Sequence, residues 1–258
     1  MIKKIVNFRK KEDWKGYNLF RKAWILPLFT VRPMYTWQKY PEDFYNAHEI
    51  DRNELCKDKE LMNRLLKLKY ATRNVKVLMS LREMFNIYNL AGKVGHLEGD
   101  MAEVGVFQGG SSIIISLAKG DKPLHLFDTF EGLPEPDKQY DNQMKEGDMH
   151  NTSLDMVKKN LEPYENVFFY KGFFPDTASP IEDKKFCFVN NDTDIHGSTK
   201  SFLEFFYPRM VKGGIVLTHD YNDSRTPGVK KAYDEFFSDK PEFINEIWDT
   251  QAYVVKIQ

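Results

Sequence analysis

The sequence predicts an α/β protein with a doubly wound, mostly parallel sheet of seven strands, a C-terminal antiparallel hairpin and an N-terminal helical extension. From residue 99 onward, short apolar runs alternate with helical segments, which is typical of βαβ units. The last two apolar runs are joined by only three residues, whereas a parallel pair would need a long crossover. We therefore expect a helical extension or cap over residues 1–98 and an α/β domain over residues 99–258.

Each predicted element rests on its own apolar pattern. In the extension, apolar residues at helical spacing favour helices over Leu61–Leu68 and Val75–Leu90. The predicted strands are Met101–Val106, Leu124–Phe127, Val167–Lys171, Lys185–Asn190, Gly214–Thr218, Phe243–Trp248 and Ala252–Ile257. The predicted helices of the α/β domain are Ser111–Leu117, Ser153–Leu161, Lys200–Met210 and Gly228–Ser238.

The composition argues against several classes of protein. The net charge of −1 gives no indication of a nucleic-acid partner. The two cysteines, Cys56 and Cys187, indicate neither a disulfide scaffold nor a cysteine zinc site, and they fit a reducing cytoplasm. The longest apolar run, Ala23–Val31, is too short to span a bilayer. Residues 1–22 form either a solvated basic arm or a contact for an acidic membrane or partner, and residues 23–50 are rich in aromatic side chains.

A glycine-rich loop is predicted where the first strand of the α/β domain gives way to a helix. Gly105, Gly109 and Gly110 allow the backbone to turn tightly and to approach a ligand. The hydroxyls of Ser111 and Ser112, together with the N–H groups of the helix terminus, can hold a carboxylate. The loop therefore predicts a cofactor site, although an ordinary glycine turn would look the same.

Two side chains of this loop favour S-adenosylmethionine over a dinucleotide. Phe107 occupies the place of the second glycine of a GxGxxG motif, where its side chain would obstruct a pyrophosphate. S-adenosylmethionine has a carboxylate and a sulfonium but no pyrophosphate. Glu103, an acid on the preceding strand, suits the cationic amino-acid half of that cofactor.

Two further loops complete the predicted cofactor site. Asp128 ends the second strand about 20 residues after the glycine loop, where a carboxylate can accept hydrogen bonds from both ribose hydroxyls. The loop after the third strand lies where an adenine would lie. Gly172, Phe173 and Asp176 are therefore weaker candidates for cofactor contacts.

Acidic residues follow the fourth and fifth strands. Asp192 and Asp194 follow one strand, and His219 and Asp220 follow the next. Because the carboxyl ends of parallel strands open onto one face, these side chains should converge, and a divalent cation would relieve their repulsion. Oxygen ligands favour Mg²⁺, Mn²⁺ or Ca²⁺, while an imidazole shifts the preference toward Mn²⁺, Fe²⁺ or Zn²⁺. Solvated acids that cap helices are the alternative interpretation.

Five stretches between residues 99 and 237 carry a more specific signal. They are GDMAEVGVFQGGSS (99–112), LFDTFEGLPEPD (126–137), KGFFPDT (171–177), STKSFLEFFYPRMVKGGIVLTHDY (198–221) and GVKKAYDEFF (228–237). FEGLP followed later by FYPR-x-x-x-GG is a specific combination. With these motifs the sequence resembles the macrocin O-methyltransferase (TylF/MycF) family, which implies a Rossmann-like class I S-adenosylmethionine-dependent methyltransferase.

The resemblance implies methylation of a hydroxyl, usually on a sugar of a natural product, with S-adenosylmethionine and Mg²⁺. It places metal ligands at Asp192 and at an acid pair that corresponds here to His219 and Asp220. It also places the proton acceptor at Asp194. The sequence departs from the family at His219, where the family has an acid.

Three weaker candidates concern the acceptor molecule. Residues 134–151 are polar, contain two prolines and lack an apolar period, so we predict a mobile lid in which Tyr140 and Met144 contact the acceptor. His196 is the third, because Ile195 and His196 stand where the family usually has Leu and Tyr.

Other functions remain compatible with these residues. A catechol-type or diol-type metal-dependent O-methyltransferase would use the same acids. A nucleotide-dependent oxidoreductase is disfavoured by Phe107 and by the C-terminal hairpin. A non-catalytic cofactor-binding homologue is suggested by His219. We expect a homo-oligomer, most simply a dimer, with neither nucleic acid nor an integral membrane as partner.

Overall fold

The structure, a computed structural model, describes residues 59–258, so the predicted basic arm and aromatic-rich segment lie outside the described residues. In this part of the chain the helices are α1 (Lys59–Ala71), α2 (Leu81–Val94), α3 (Gly110–Ala118), α4 (Leu154–Leu161), α5 (His196–Phe206) and α6 (Pro227–Phe237). The strands are β1 (Asp100–Val104), β2 (Leu124–Asp128), β3 (Val167–Lys171), β4 (Phe186–Asn191), β5 (Met210–Thr218), β6 (Asn245–Glu246) and β7 (Ala252–Val255).

The seven strands form one sheet in the order β3-β2-β1-β4-β5-β7-β6. The five strands β1 to β5 are parallel to their neighbours, while β7 runs antiparallel to both β5 and β6. The predicted doubly wound sheet with a C-terminal antiparallel hairpin is therefore confirmed. The chain changes its direction of progress across the sheet between β1 and β4, and such a switch point leaves a crevice for ligands.

Two apolar cores lie on opposite faces of the sheet. Helices α1 to α4 cover one face, where Ile87 of α2 is fully buried. Helices α5 and α6 cover the other face through residues such as Phe202 and Tyr233. The consecutive residues Met101 and Ala102 of β1 belong to opposite cores, as the alternation of a strand requires. Since α1 and α2 share a core with the sheet, the described part of the extension is packed against the α/β domain, and the boundary at residue 98 stays a prediction.

The predicted helix Val75–Leu90 was wrong at its start. Residues 75–80 are not helical, although Val75 and Val77 are buried in the core. The helix begins after Ser80, whose hydroxyl accepts a hydrogen bond from the N–H of Glu83, while the Glu83 carboxylate accepts one from the N–H of Ser80. This capping box fixes the first turn and leaves the preceding segment extended.

The predicted helix Lys200–Met210 was displaced along the chain. Helix α5 begins four residues earlier, at His196, and ends at Phe206. Pro208 cannot continue a helix, and a short 3₁₀ turn leads directly into β5. Strand β5 therefore starts at Met210 and not at Gly214, with an irregular register between β4 and β5 over its first residues.

The edge of the sheet is shorter than predicted. Strand β6 has only two residues within the predicted range Phe243–Trp248, and both end residues of that range are largely exposed. A short edge strand limits pairing with other chains. Within residues 59–258, no helix combines the length and the apolar character needed to cross a bilayer.

A close backbone contact joins the loops that follow β1 and β4. Gly105 adopts φ +85°, and a Cβ placed there would lie 1.8 Å from the carbonyl oxygen of Asp192. The N–H of Gly105 donates to the carbonyl of Phe127, and the N–H of Asp192 donates to that of Val104. No side chain fits at residue 105 unless the two loops separate.

This contact predicts the effect of Gly105→Ala on stability. The left-handed conformation costs an L-residue about 1–2 kcal/mol, and the clash adds to that cost. We expect a loss of more than about 3 kcal/mol in the free energy of unfolding, measured with urea. Gly120→Ala is the matched control, because Gly120 has φ +61° with nothing within 4 Å of a built Cβ. Equal losses of unfolding free energy in the two variants would show that the contact between Gly105 and Asp192 does not contribute to stability.

Candidate functional site

A cavity of about 410 Å³ opens at the carboxyl ends of the parallel strands. The loops after β1 to β5 build its wall together with residues 76–80, Glu83 and residues 249–250. Most predicted site residues line it: Gly105, Phe107, Gly110, Ser111, Asp128, Gly172, Phe173, Asp192, Asp194, His219 and Asp220. The remaining predicted residues lie outside its wall: Glu103, Gly109, Ser112, Tyr140, Met144, Asp176 and His196. The volume suits a small-molecule ligand.

The glycine loop delivers the N-terminus of α3 to the cavity. Gly109 is the N-cap residue, in a left-handed conformation without a side-chain cap, and it packs beside Val157 of α4. Gly110 leaves room for Val77, since a Cβ would lie 3.1 Å from that side chain. The first turn of α3 thus exposes N–H groups, and the Ser111 hydroxyl is in the cavity wall.

Glu103 points away from the cavity and into the protein. Its carboxylate accepts hydrogen bonds from the Ser112 hydroxyl and, at 2.8 Å, from the Asn190 amide. Complete burial raises the pKa of Glu103 to about 7, although these hydrogen bonds oppose the rise. Glu103 and Ser112 therefore tie β1, β4 and α3 together behind the glycine loop.

The carboxylate of Asp128 holds the glycine loop by hydrogen bonds to its backbone. One carboxylate oxygen accepts from the N–H groups of Val106 at 2.7 Å and of Phe107 at 2.9 Å. The other oxygen accepts from the N–H of Phe130 at 2.6 Å. The Thr129 hydroxyl lies 3.4 Å from this oxygen but has one hydrogen, which it donates to the Gly132 carbonyl at 2.7 Å. Since a carboxylate has about four acceptor positions, capacity is left for a ligand in the cavity. Phe107, in a left-handed conformation, has the Lys76 ammonium 5.5 Å from its ring centre.

Two of the three residues predicted in the loop after β3 contribute to the cavity wall. Gly172 and Phe173 lie in the cavity wall, and Phe173 is 41% exposed. Asp176 is exposed outside that wall. A flat aromatic ring at the mouth of the cavity can stack on a planar group such as a purine.

Three carboxylates meet at the end of β4 and β5. Asp192, Asp194 and Asp220 each offer an oxygen atom, and these atoms all lie within 4.8 Å of one another. We call these residues the acid cluster. Asp194 and Asp220 have φ of 62° and 60°, a conformation that costs a residue other than glycine free energy and that gathers at functional sites.

The acid cluster has unusual proton affinities. Burial, and then repulsion from Asp220, raises the pKa of Asp192 well above its usual range. Burial, followed by repulsion from Asp194, does the same for the pKa of Asp220. The pKa of Asp194 rises to about 7 through burial and through repulsion from Asp192, and its carboxyl is hydrogen-bonded to that of Asp220. The cluster therefore holds protons at a pH where ordinary aspartates are charged.

His219 lies beside the acid cluster but does not belong to it. Its imidazole is buried, and its Nε2 atom is 3.1 Å from the side-chain nitrogen of Gln251. Among the described residues, the side chains close enough together to share a metal ion are the three aspartates, and His219 is not one of them. Ligation of a cation by His219 stays a prediction.

The predicted acceptor contacts lie on the outer side of the cavity. Tyr140 stacks on His196 with ring centres 4.4 Å apart, and the His196 imidazole is 3.3 Å from the Glu235 carboxylate. The buried Asp141 accepts a hydrogen bond from the His196 N–H at 3.1 Å and caps α5. These contacts attach the middle of the predicted lid to the core. Its mobility and the contacts of Tyr140, Met144 and His196 with an acceptor stay predictions.

Sequence reasoning missed part of the cavity wall. Glu83, Asp223, Arg225, Asp249 and Thr250 all line it. The Ser-x-x-Glu pattern that ends at Glu83 is a capping-box signal and could have located the start of α2. Thr250 donates to the Glu83 carboxylate at 2.7 Å, a contact between residues 167 positions apart. No local pattern could have indicated that pairing.

The sequence has curated relatives among O-methyltransferases. It is 33% identical over 138 residues to 8-demethyl-8-(2,3-dimethoxy-alpha-L-rhamnosyl)-tetracenomycin-C 4'-O-methyltransferase of Streptomyces olivaceus, covering 48% of this chain and 53% of the relative. It is 29% identical over 143 residues to mycinamicin III 3''-O-methyltransferase of Micromonospora griseorubida, covering 48% of this chain and 55% of that protein. The chain thus spans about half the length of these two relatives.

Solved structures confirm the fold. The O-methyltransferase NovP superposes with a TM-score of 0.62 at 24% identity, covering 72% of this chain and 84% of NovP. The calicheamicin methyltransferase CalS11 superposes with a TM-score of 0.63 at 18% identity, covering 84% of this chain and 92% of CalS11. At such identities the likeness concerns the fold alone.

Residues 43–253 match the profile of the TylF macrocin O-methyltransferase family. The match includes the glycine loop, Asp128 and the whole acid cluster, which the structure assembles around one cavity. The chain therefore belongs to the TylF macrocin O-methyltransferase family.

Proposed function

We propose that this protein is an S-adenosylmethionine-dependent O-methyltransferase that methylates a hydroxyl of a sugar or of a small natural product with the help of a divalent cation. The observation that carries the proposal is the acid cluster, which lies in the same cavity as the glycine loop. Family membership supports the reaction type. The two curated relatives described above act on a rhamnosyl-tetracenomycin and on mycinamicin III, which supports a glycosylated or similarly polar acceptor.

The cavity wall suits S-adenosylmethionine. Asp128 retains acceptor capacity for ribose hydroxyls, and Phe173 offers a flat surface for the adenine. The first turn of α3, with the hydroxyl of Ser111, suits the cofactor carboxylate. Phe107 closes the space that a pyrophosphate would need.

The acid cluster suits a hard divalent cation such as Mg²⁺. All of its donor atoms are carboxylate oxygens, which Mg²⁺, Mn²⁺ and Ca²⁺ prefer. Burial and mutual repulsion raise the pKa values of Asp192 and Asp220, which is the situation of carboxylates that a bound cation would stabilise. We assign the cation to Asp192 and Asp220, and we assign proton transfer to Asp194.

Asp194 is suited to remove the proton of the acceptor hydroxyl. The pKa of Asp194 is about 7 in the cation-free protein, and a cation beside it would lower this value, so that the carboxyl is ionised and able to accept a proton. S-adenosylmethionine supplies an electrophilic methyl group, so the acceptor oxygen is the group that needs activation. A bound cation lowers the pKa of an oxygen that it holds. Asp194, ionised before the reaction, accepts the proton, and its protonated carboxyl then donates a hydrogen bond to Asp220.

Incubation with S-adenosylmethionine and a panel of acceptors tests the proposed function. The panel contains glycosylated macrolides, free deoxysugars and catechols, and mass spectrometry detects a gain of one methyl group. We expect methylation of a sugar hydroxyl. Methylation of catechols alone would replace the sugar acceptor with a diol, and binding of cofactor without transfer to any acceptor would indicate a non-catalytic protein.

The contacts of Asp128 predict a double defect in Asp128→Ala. The variant loses charge-assisted hydrogen bonds worth roughly 1.5–3 kcal/mol each, both to the cofactor and to the glycine loop. We expect calorimetry to show at least a tenfold weaker affinity for S-adenosylmethionine, together with a lower unfolding midpoint. Asp176→Ala is the control and should change neither value, because Asp176 lies outside the cavity wall. Unchanged cofactor affinity in Asp128→Ala would remove Asp128 from the cofactor site.

The raised pKa of Asp194 predicts how the cation-free protein responds to pH. The folded-state pKa is about 7, whereas an unfolded aspartate has a pKa of about 3.9. The folded state therefore binds the proton more tightly, and the free energy of unfolding falls as the pH rises through this interval and levels off above it. Asp194→Asn removes this penalty, and asparagine tolerates the left-handed backbone. At a pH of about 8 we expect its unfolding midpoint to rise by about 2–4 °C for each kcal/mol relieved.

Asp223→Asn is the control for this measurement. Burial alone would raise the pKa of Asp223, but the hydrogen bonds and charge of Arg225 lower it below the usual value. Removing this charge should not stabilise the protein. If Asp223→Asn and Asp194→Asn shift the midpoint equally, then general charge reduction explains the effect and the pKa of Asp194 is ordinary.

The roles assigned to Asp220 and Asp194 predict that their substitutions impair methyl transfer in different ways. Asp220→Ala should raise the Mg²⁺ concentration needed for methyl transfer, since it removes a ligand. Asp194→Asn should lower turnover by about 10²–10⁴-fold, the usual contribution of a general base, while Mg²⁺ binding measured by calorimetry changes less than in Asp220→Ala. Full activity of chelator-treated protein, or of Asp194→Asn, would contradict the mechanism.

A further inference from the structure

A buried polar connection joins His219 to the side of the sheet. Gln251, the residue before β7, is fully buried, and its side-chain nitrogen is 3.1 Å from Nε2 of His219. The N–H of His219 donates to the backbone carbonyl of Asn191, so the backbone as well as the ring is held in place. One ring nitrogen of His219 is therefore engaged by a residue outside the acid cluster.

The neighbours of Gln251 fix the orientation of its amide. The amide nitrogen also lies 3.5 Å from the backbone carbonyl oxygen of Glu83, and a carbonyl oxygen can only accept. The amide oxygen accepts a hydrogen bond from the Asn86 side chain at 3.0 Å. The group that faces His219 is thus the NH₂ of Gln251 and not its oxygen.

This orientation decides which nitrogen of His219 carries the proton. A neutral imidazole has one N–H donor and one acceptor nitrogen, and Nε2 must be the acceptor because Gln251 donates to it. Nδ1 therefore carries the hydrogen. Nitrogen ligands bind metals through a free lone pair, which Nδ1–H lacks and which Nε2 already uses toward Gln251.

Nδ1 of His219 is open to the cavity. Among the described residues, this nitrogen has no hydrogen-bond partner. It is nevertheless not completely buried, so a ligand can reach it. His219 lies in the cavity wall next to Asp220. The Nδ1–H group of His219 is therefore the ring donor left for a ligand in the cavity.

We propose that Gln251 is a positioning residue that holds His219 in the Nδ1–H tautomer, so that His219 donates a hydrogen bond to an oxygen of the bound acceptor and does not ligate the cation. The acceptor half of this proposal rests on the proposed function, whereas the tautomer and the absence of ligation do not. A fixed donor beside the base stabilises the negative charge that develops on the acceptor oxygen when its proton leaves. A carboxylate at residue 219 could not give such a bond, since an ionised acid only accepts.

Nitrogen NMR of ¹⁵N-histidine-labelled protein tests the tautomer directly. The chain has six histidines, and the signals of His219 are those that disappear in His219→Asn. Above a pH of about 7.5, where an ordinary histidine is neutral, we expect a protonated Nδ1 and an unprotonated Nε2. A protonated Nε2, alone or together with Nδ1, would overturn the proposal.

Gln251→Glu tests the positioning role, because a carboxylate accepts where the amide donates. We expect the NMR signature of His219 to change to one with a protonated Nε2, a change that a purely structural role of Gln251 would not cause. An unchanged signature would show that Gln251 does not set the tautomer. If this variant fails to fold, the spectrum of the unaltered protein still decides the tautomer.

Measurements of cation affinity show whether His219 is a hydrogen-bond donor or a cation ligand. We expect His219→Asn to bind Mg²⁺ and Mn²⁺ with nearly the affinity of the unaltered protein in calorimetry, whereas Asp220→Asn, the matched control, should bind both much more weakly because it loses a charged ligand. A loss in His219→Asn as large as in Asp220→Asn would make His219 a ligand and refute the proposal. Both this readout and the NMR spectrum are independent of methyl transfer, so a failure of the proposed function leaves them interpretable.

The acceptor half is tested with the acceptor that the methylation screen identifies. His219→Asn retains a side-chain N–H, while His219→Leu has none. We expect His219→Leu to lower kcat by about tenfold or more and His219→Asn to lose less, since one lost donor to a developing oxyanion costs up to about 10²–10³-fold. Equal losses in the two variants would mean that the N–H of His219 does not contact the acceptor.

Discussion

The backbone contact between Gly105 and Asp192 is the constraint on which the site depends. β1 and β4 are neighbours at the point where the strand order reverses, and the loops that leave them diverge to opposite sides of the sheet. With no side chain at residue 105, the two loops touch, and the glycine loop comes to lie beside the acid cluster. The glycine loop and the acid cluster thus share one wall of the cavity, and under the proposed function this would place the methyl donor next to the acceptor oxygen.

Without a bound ligand, the crowded carboxylates of this cavity destabilise the folded protein. Three aspartates are crowded and partly buried, two of them in left-handed conformations, and burial raises the pKa of each. The surrounding sheet holds this arrangement because every strand that leads to it is buried on both faces. Unfavourable local free energy that is held by a well-packed scaffold is typical of sites in which a ligand supplies the missing interaction.

The start of α2 closes the cavity on the side of the C-terminal strands. Glu83 caps its own helix and accepts from Thr250, while Ser80 donates to Asp249. The described part of the helical extension therefore contributes to the cavity wall. Gln251, the residue before β7, also contacts His219 in the cavity wall.

The sequence by itself determined the sheet, its antiparallel end and the positions of the glycine loop, Asp128 and the acid cluster. These features depend on local periodicity and on the rule that parallel strands end on one face, and both can be seen in a short stretch of chain. Only the tertiary structure decided that Glu103 turns inward to Ser112 and Asn190, and that His219 faces Gln251. The physical reason is that the partners of such side chains lie far away in sequence, so hydrogen bonds formed only in the folded chain choose their direction.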